Sequence, residues 1–377
     1  MKYYIISGEA SGDLHGSNLI KELKTLDNNC EFRAWGGDLM QKQGAKIVKH
    51  YRDLAFMGFA EVVKNLSTIK KNMKFCVADV KKYNPDVLIL VDYPGFNLRI
   101  AKKLYGSGIK IFYYISPTIW AWHKSRIKTI RKYIDKMFVI LPFEKEFYKQ
   151  LGYNVDYVGS PVKDAVCKYI DSKKDYTLQN FISDNNLSEN KKIAILPGSR
   201  KQEIEKILPV MLNTIKNFNN LEFIIAAAPS FNKDYFLQNF NIPDNVKILH
   251  DKTYDILRFA DSALVASGTA TLETALFDTP QVVCYKTSGL TYFIAKNLVN
   301  IKYISLVNLI MDKSVIKELI QNNLTTETLS TELNNLINNN NYRNNIFADY
   351  NELNKKIGEK GSSKRLAELI IKYLKFE

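Results

Sequence analysis

The sequence predicts an α/β protein built from two doubly wound domains that face each other. Over residues 1–160, short and nearly continuous apolar segments alternate with segments of helical character. A polar stretch, residues 168–192, interrupts this alternation, which restarts at Ile193. Apolar strands separated by helices are typical of a parallel sheet covered on both faces. Because ligands bind beyond the carboxyl ends of such strands, we expect a site in the cleft between the domains.

The first half contains six segments with the length and composition of buried strands. They lie at residues 3–7, 31–35, 87–91, 111–115, 137–141 and 155–159. Helical segments lie between them, for example at residues 98–105, 126–134 and 143–151. We therefore place a first domain at residues 1–165.

The second half follows the same alternation after a polar linker with a short helix. Strands are predicted at residues 193–196, 221–227, 246–250, 262–266 and 281–285, and helices at 202–218, 254–259 and 271–276. We place a second domain at residues 190–345 and a helical C-terminal tail at residues 346–377.

Composition limits the class of protein. A hydrophobic fraction of 46% is that of a globular chain. Neither a signal peptide nor an apolar segment of membrane-spanning length is expected. Four cysteines without a Cys-x-x-Cys pair favour free thiols in a reducing cytoplasm. The net charge of +14 fits an anionic lipid surface or a lysine-rich compositional bias, and we expect no nucleic-acid partner.

The first loop follows the first strand and begins at Gly8. Its glycines, Gly8 and Gly12, do not have the dinucleotide-binding spacing, so we expect no nucleotide cofactor there. Backbone N–H groups and the start of a helix near Asp13 would lie next to a ligand that binds beyond the end of this strand. Because Glu9 and Asp13 would repel a phosphate, the loop, which includes Ser11, favours a sugar or hydroxyl ligand.

Asp92 follows the apolar strand at residues 87–91. A carboxylate at this position points into the crevice in which ligands bind. Pro94 and Gly95 end the strand and fix the direction of the side chain. We favour a catalytic role for Asp92 over the alternative, in which it caps a helix that starts near Asn97.

Two loops of the second half have the composition of anion-binding turns. Residues 196–200, Leu-Pro-Gly-Ser-Arg, place Arg200 where it pairs with a phosphate. Residues 266–273 place Ser267, Gly268 and Thr269 at the start of a helix. Glu273 lies one turn further on, within reach of two ribose hydroxyls, with a capping acid as the alternative.

Other motifs leave two interpretations open. Asn308, in an apolar strand or loop, is a ligand contact or a buried, satisfied amide. The segment 116–123, with two tryptophans, lines a pocket or packs in the core. Residues 59–71 form a basic amphipathic helix that lies on an anionic membrane or packs on its own sheet; its apolar residues are Phe59, Val62, Val63, Leu66 and Ile69.

The chain lacks two patterns that are common at metal sites. No two aspartates are separated by one residue, and no His, Asp and Glu set has metal-ligand spacing. We therefore expect no metal, with diphosphate charge neutralised by helix N-termini and Arg200.

These motifs together resemble the bacterial lipid-A-disaccharide synthase family. The stretches that carry the resemblance are residues 7–13, 57–62, 92–97, 114–122, 141–144, 196–200, 267–273 and 305–308, in family order. They extend over about residues 1–310, and the polar tail matches less clearly.

The resemblance implies an inverting, metal-independent glycosyltransferase with two Rossmann-like domains, the GT-B fold, and no cofactor. It implies transfer from UDP-2,3-diacylglucosamine to 2,3-diacylglucosamine 1-phosphate, giving the β(1→6) disaccharide of lipid A and UDP. Asp92 would be the general base, and the substrates would contact Glu9, Ser11, Arg200, Ser267, Gly268, Thr269, Glu273 and Asn308. The first domain would face the acceptor and the membrane, and the second would bind the UDP-sugar.

The family also implies a cytoplasmic enzyme, peripheral on the inner face of the cytoplasmic membrane. The sequence leaves open whether the protein forms a homodimer. The rival interpretations are a UDP-N-acetylglucosamine epimerase, the lipid II glucosaminyltransferase and a non-catalytic protein that binds nucleotide sugars at the membrane.

Overall fold

The computed structural model describes residues 1–54, 66–289 and 302–376. The chain divides into two compact units, Met1–Pro161 with Glu359–Glu377, and Val162–Gly358. The end of the chain therefore returns to the first unit, so the residues predicted as one C-terminal tail are divided between the two. Within the described residues, no helix combines the length and the apolar character needed to cross a bilayer.

The first unit is built on a seven-stranded parallel sheet. Its strands are β1 (Lys2–Ile6), β2 (Glu31–Gly36), β3 (Lys46–His50), β4 (Val87–Val91), β5 (Lys110–Tyr114), β6 (Lys136–Val139) and β7 (Asp156–Tyr157). The spatial order is β3-β2-β1-β4-β5-β6-β7. The order therefore reverses between β1 and β4, which pair in parallel with Tyr3 opposite Val87.

Helices cover both faces of this sheet. In the first part of the chain they are α1 (Ala10–Leu26), α2 (Asp38–Lys42), α3 (Leu66–Tyr83), α4 (Pro94–Leu104), α5 (Ile127–Tyr133) and α6 (Glu144–Gln150). Alternate strand residues separate the two cores: Tyr4 and Leu88 pack with α3, α4 and α5, whereas Tyr3 and Val87 pack with α1.

The second unit has a six-stranded parallel sheet. Its strands are β8 (Lys192–Leu196), β9 (Glu222–Ala227), β10 (Val246–His250), β11 (Ser262–Ala266), β12 (Gln281–Tyr285) and β13 (Glu318–Ile320). The order is β10-β9-β8-β11-β12-β13, with its reversal between β8 and β11. Two wholly parallel, doubly wound sheets confirm the predicted fold class.

The helices of the second unit lie between and after these strands. They are α7 (Pro161–Ser172), α8 (Leu178–Asn185), α9 (Lys201–Ile215), α10 (Lys233–Asn239), α11 (Thr253–Phe259), α12 (Thr269–Leu276), α13 (Leu306–Met311), α14 (Thr326–Asn338) and α15 (Asn340–Ile357). The last helix, α16 (Ser362–Phe376), packs Leu366 and Ile370 on Leu19 and Leu23 of α1 in the first unit.

The structure corrects several sequence-based expectations. Strands β3 and β13 were not predicted, because both are edge strands with few fully buried side chains. Helix α4 begins at Pro94 rather than at residue 98, and α1 begins at Ala10 rather than near Asp13. Asn308 lies in α13, not in a strand or loop. The predicted linker contains the end of α7 as well as all of α8, the short helix expected there.

Candidate functional site

The first unit brings its predicted site residues to the point where its strand order reverses. Glu9 and Ser11 follow β1, and Asp92 follows β4, the strand beside it. Glu9 and Ser11 are exposed, and Asp92 is half-buried. The loops after two such neighbouring strands flank the crevice in which doubly wound sheets bind ligands.

The loop after β1 lies against the Asp92 segment. A Cβ atom on Gly8 would lie 2.5 Å from the ring of Tyr93, and one on Gly12 would lie 2.7 Å from the Ser7 Cβ. Larger residues therefore do not fit at these positions. Gly8 allows the two loops to approach closely, which places Glu9 near Asp92, whereas Gly12 allows α1 to begin close to the end of β1.

The backbone at Asp92 is strained and is held by two buried donors. Asp92 and Tyr93 have φ values of 46° and 50°, in the left-handed region that residues other than glycine rarely adopt. The Asn97 Nδ2 atom donates to the Asp92 carbonyl at 2.7 Å, and the Tyr113 hydroxyl donates to it at 2.5 Å. The N-cap of α4 is Tyr93, so Asp92 does not occupy the capping position.

The pKa of the Asp92 carboxyl group lies above the usual value for an aspartate. Burial, together with the negative charge of Glu9, raises its pKa to about 6. A carboxylate with a raised pKa holds a proton more strongly once it has accepted one. This property suits a general base that works near neutral pH.

Asp13 does not share this role. Its carboxylate is buried and accepts three backbone N–H groups, from Gly37 at 2.7 Å, Leu39 at 3.0 Å and Met40 at 3.1 Å. It therefore anchors the start of α2. Of the two acids expected at the first loop, Glu9 is exposed and Asp13 is buried.

The second unit contains a pocket of about 220 Å³ at the reversal between β8 and β11. Its walls are the two loops predicted to bind an anion, with Glu273 and parts of β9 and α11. The lining residues from the predicted loops are Gly198, Ser199, Ser267, Gly268, Thr269 and Glu273. The structure thus brings together two loops that lie about 70 residues apart in the sequence.

The loop after β8 is shaped by Gly198 and Glu203. Gly198 has a φ of 117°, and a Cβ there would lie 2.8 Å from the Glu203 Cβ. Glu203 accepts the Ser199 N–H at 3.3 Å and pairs with Arg200 at 3.4 Å. The Arg200 side chain is 75% exposed, so its guanidinium group is open to an incoming anion.

Helix α12 begins directly at the pocket. Its N-cap is Gly268, which has no side chain to occupy the first N–H groups, and Gly268 and Thr269 are exposed. A Cβ on Gly268 would meet no atom within 4 Å. The helix start therefore presents free N–H donors to a phosphate.

Glu273 lies on the pocket side of α12. Its Oε1 atom accepts the Tyr254 hydroxyl at 2.8 Å, and burial raises the pKa of its carboxyl group. Tyr254 was not identified from the sequence. The hydroxyl fixes one carboxylate oxygen, which orients the group for a hydroxyl-bearing ligand.

A partly buried network of hydrogen bonds holds the Ser267 side chain, which lines the pocket. The Ser267 hydroxyl donates to the Ile304 carbonyl at 3.0 Å. Glu318 accepts the N–H groups of Ile304 and Ser305, at 3.0 and 2.9 Å, and the Asn308 amide at 2.9 Å. Glu318 therefore anchors the segment on which Ser267 rests, a contact that sequence reasoning missed.

Asn308 belongs to this network. It is fully buried, its Nδ2 atom donates to Ile316 and Glu318, and its Oδ1 atom accepts from Val315 and Ile316. This arrangement is that of a buried and satisfied amide, one of the two alternatives considered for Asn308, and contact with a ligand stays a prediction.

The Glu318→Gln variant is expected to destabilise the protein by about 1–3 kcal/mol, because an amide NH₂ replaces an oxygen that accepts hydrogen bonds. Urea unfolding measures the change. Glu189→Gln, at an exposed position, is the matched control and should change stability by no more than about 0.5 kcal/mol. Equal stability of the two variants would contradict an anchoring role for Glu318.

Comparison with known proteins decides the family. The profile of the family described as lipid-A-disaccharide synthetase matches residues 3–372. The chain belongs to this family. The lipid-A-disaccharide synthase of Syntrophus aciditrophicus (strain SB) is 36% identical over 377 residues, covering 98% of this chain and 97% of that protein. That of Trichlorobacter lovleyi is 34% identical, covering 97% and 96%.

Solved structures confirm the fold expected for a lipid-A-disaccharide synthetase family member. The UDP-GlcNAc 2-epimerase from Neisseria meningitidis, bound to UDP-GlcNAc, matches with a TM-score of 0.71 at 14% identity, covering 99% of this chain and 100% of that one. The glycotransferase of kitacinnamycin matches with a TM-score of 0.64 at 11% identity, covering 98% of each chain. The predicted GT-B fold is thereby confirmed.

Membership of the lipid-A-disaccharide synthetase family also confirms that the protein is a glycosyltransferase of lipid A biosynthesis. The residues predicted to contact a membrane are only partly described. Phe59, Val62 and Val63 lie outside the described residues, as does the side chain of Leu66. Ile69 is half-buried and packs against the core beneath α3.

Proposed function

We propose that the protein transfers the sugar of UDP-2,3-diacylglucosamine to 2,3-diacylglucosamine 1-phosphate with inversion, giving the β(1→6) disaccharide 1-phosphate and UDP. The observation that carries the proposal is Asp92: its half-buried carboxyl group has a pKa of about 6 and lies at the strand reversal, and its backbone carbonyl accepts hydrogen bonds from Asn97 and Tyr113. Family membership supports the choice of substrates.

The donor would occupy the pocket of the second unit. The N–H groups at Gly268 and Thr269 would hold the diphosphate, with Ser267 in the same loop. Arg200 does not line the pocket, but it follows the lining residue Ser199 and its exposed side chain would pair with the diphosphate charge. Glu273 would accept hydrogen bonds from the ribose hydroxyls. The epimerase of similar fold was solved with UDP-GlcNAc, which supports a UDP-sugar as the ligand class.

The chemical step would be a direct displacement at the anomeric carbon. Asp92 accepts the proton of the acceptor 6-hydroxyl as that oxygen forms a bond to the anomeric carbon. The bond from this carbon to the diphosphate oxygen breaks, and UDP leaves with the electron pair. Arg200 and the start of α12 stabilise the departing charge, and Glu9 and Ser11 orient the acceptor sugar.

The first unit would bind the inner face of the cytoplasmic membrane, since both substrates carry acyl chains. The described part of α3 supports this: Lys70, Lys71 and Lys74 are exposed, and the Phe75 side chain among them is 49% exposed. Cationic and aromatic side chains on one helix face bind anionic lipid. Membrane contact by Phe59, Val62, Val63 and Leu66 stays a prediction from the sequence.

Incubation with UDP-diacylglucosamine, with and without the acylated monosaccharide phosphate, tests the proposed reaction. We expect UDP release and disaccharide formation when both substrates are present. Conversion of the UDP-sugar alone to an isomer would instead show an epimerase, the activity named for several proteins of similar fold. A protein that binds the UDP-sugar and releases no UDP would be non-catalytic.

The rate should depend on the ionisation of Asp92. Because its pKa is about 6, the carboxyl group is protonated below that pH and cannot act as a base. We expect kcat/KM to rise as the pH increases through about 6 and then to level off. Glu9→Gln removes the neighbouring negative charge, so the rise should move to lower pH. A rise at the same pH in both enzymes would contradict the coupling of these two acids.

A further inference from the structure

The arginines of the chain differ in what their side chains contact. Within the part of the chain that the structure describes, six of the nine hold a carboxylate or a backbone carbonyl: Arg33, Arg52, Arg200, Arg258, Arg343 and Arg365. Arg99 and Arg131 are exposed. Arg126 alone is half-buried with no acidic or carbonyl partner among the described residues.

The Arg126 guanidinium group rests on an aromatic ring. Its central carbon lies 5.8 Å from the centre of the Trp122 ring, and the Trp122 side chain is 43% exposed. The Trp122 indole N–H donates to the Thr118 hydroxyl at 3.2 Å, which orients the ring. Stacking of this kind orients a guanidinium group while leaving its N–H donors available to a ligand.

Arg126 lies at the ligand-binding edge of the first sheet. It ends a short 3-10 helix, Lys124–Arg126, in the loop that follows β5. Strand β5 pairs with β4, and the Asp92 N–H donates to the Tyr114 carbonyl at 2.9 Å. The loop that carries Arg126 therefore neighbours the loop that carries Asp92.

Tyr113 connects the two charged groups. Its buried hydroxyl donates to the Asp92 carbonyl. Burial and the negative charge of Asp92 raise the pKa of Tyr113, whereas the positive charge of Arg126 opposes this rise. Arg126 is thus near enough to act on the same hydroxyl, although it forms no salt bridge with Asp92 within the described residues.

The charged residues near Arg126 in the sequence are all positive. Between Asp92 and Asp135 the sequence contains no acidic residue. The loop and the start of α5 carry Lys124, Arg126 and Lys128. A half-buried cation that forms no ion pair with an acid among the described residues favours an anion from outside.

We propose that Arg126, stacked on Trp122, binds the phosphate group of the sugar acceptor. This rests on the proposed function, in which the acceptor is a sugar 1-phosphate whose 6-hydroxyl meets Asp92. The carbon that carries the phosphate and the carbon that carries the 6-hydroxymethyl arm are both bonded to the ring oxygen, so groups in two neighbouring loops can contact both. The guanidinium fork donates two parallel hydrogen bonds to a phosphate, which lets the enzyme distinguish phosphorylated from unphosphorylated acceptors.

Steady-state kinetics with two acceptors tests this assignment: diacylglucosamine with and without its 1-phosphate. In Arg126→Gln we expect KM for the phosphorylated acceptor to rise about 10- to 100-fold and the preference for it to disappear, with KM for the donor unchanged. Arg126→Lys should recover part of the preference, since the charge stays and the fork is lost. Arg131→Gln, on the exposed face of α5, is the matched control and should behave as wild type.

An Arg126→Gln enzyme that keeps the wild-type preference for the phosphorylated acceptor would overturn the assignment. If wild type forms no disaccharide, the proposed function fails, and binding of glucosamine 1-phosphate, with glucosamine as reference, then tests Arg126 by NMR titration. Phosphate-dependent binding that is lost in Arg126→Gln and kept in Arg131→Gln would support the assignment. Binding that is equal for both sugars, or equal in both variants, would overturn it.

Discussion

Replacement of Asp92 by asparagine is expected to lower kcat by about 10²- to 10⁴-fold, the usual contribution of a general base. The amide has nearly the same shape but cannot accept the proton of the acceptor hydroxyl. The bonds from Asn97 and Tyr113 end on the backbone carbonyl of residue 92, so the substitution leaves them in place. Single-turnover rates at saturating substrates, with donor affinity measured separately, check the result.

Asn97 offers a control for the Asp92 experiment. Asn97→Asp keeps a similar volume but removes the buried donor to the Asp92 carbonyl, so it should affect the position of the base rather than its chemistry. We expect a smaller loss of kcat than in Asp92→Asn, together with lower stability. If Asp92→Asn keeps most of the turnover with unchanged binding, the base has been assigned to the wrong residue.

Replacement of Arg200 by alanine is expected to lower kcat by about 10²- to 10³-fold, the effect of removing one preorganised group that stabilises developing charge. The fold should hardly change, because Arg200 is 75% exposed and its pairing with Glu203 lies at the surface. Exposed ion pairs contribute only about 0–1 kcal/mol to stability. Rates and urea unfolding measured on the same preparation separate the two effects.

Lys201 provides a matched control for Arg200. It is the next residue, its side chain is 66% exposed, and it pairs with Glu205 at 3.7 Å. Lys201→Ala therefore removes a similar surface ion pair and keeps the Arg200 guanidinium group. Comparable losses of activity in the two variants, or a loss of stability in Arg200→Ala that matches its loss of rate, would indicate a structural role for Arg200.

The sequence predicted both sheets because their central strands are buried on both faces and form short apolar runs. The loops at the strand reversals were predicted for a related reason, since Gly198 and Gly268 mark turns at strand ends. The edge strands β3 and β13 were missed, because Lys46–His50 has only two apolar residues, Ile47 and Val48, without the alternation of a strand, and Glu318–Ile320 is only three residues long.

Sequence patterns could not predict the contacts that support the site. Asp13 binds residues 24–27 positions away, and Tyr113 reaches Asp92 across 21 positions. Glu318 stabilises a helix start from a neighbouring edge strand, although nothing in its local sequence distinguishes it from a surface acid. Such partners depend on tertiary pairing, which a local pattern of apolar and polar residues does not encode.

The anomeric configuration of the bond formed by wild-type enzyme tests the central claim, direct displacement assisted by Asp92, most directly. With the α-linked UDP-sugar as donor, one displacement inverts the anomeric carbon. We predict a β-linked disaccharide, identified by NMR from the coupling of the anomeric proton. An α-linked product would mean retention, by two displacements or by attack on the face from which UDP departs, and Asp92 would then be a nucleophile or a bystander rather than the base.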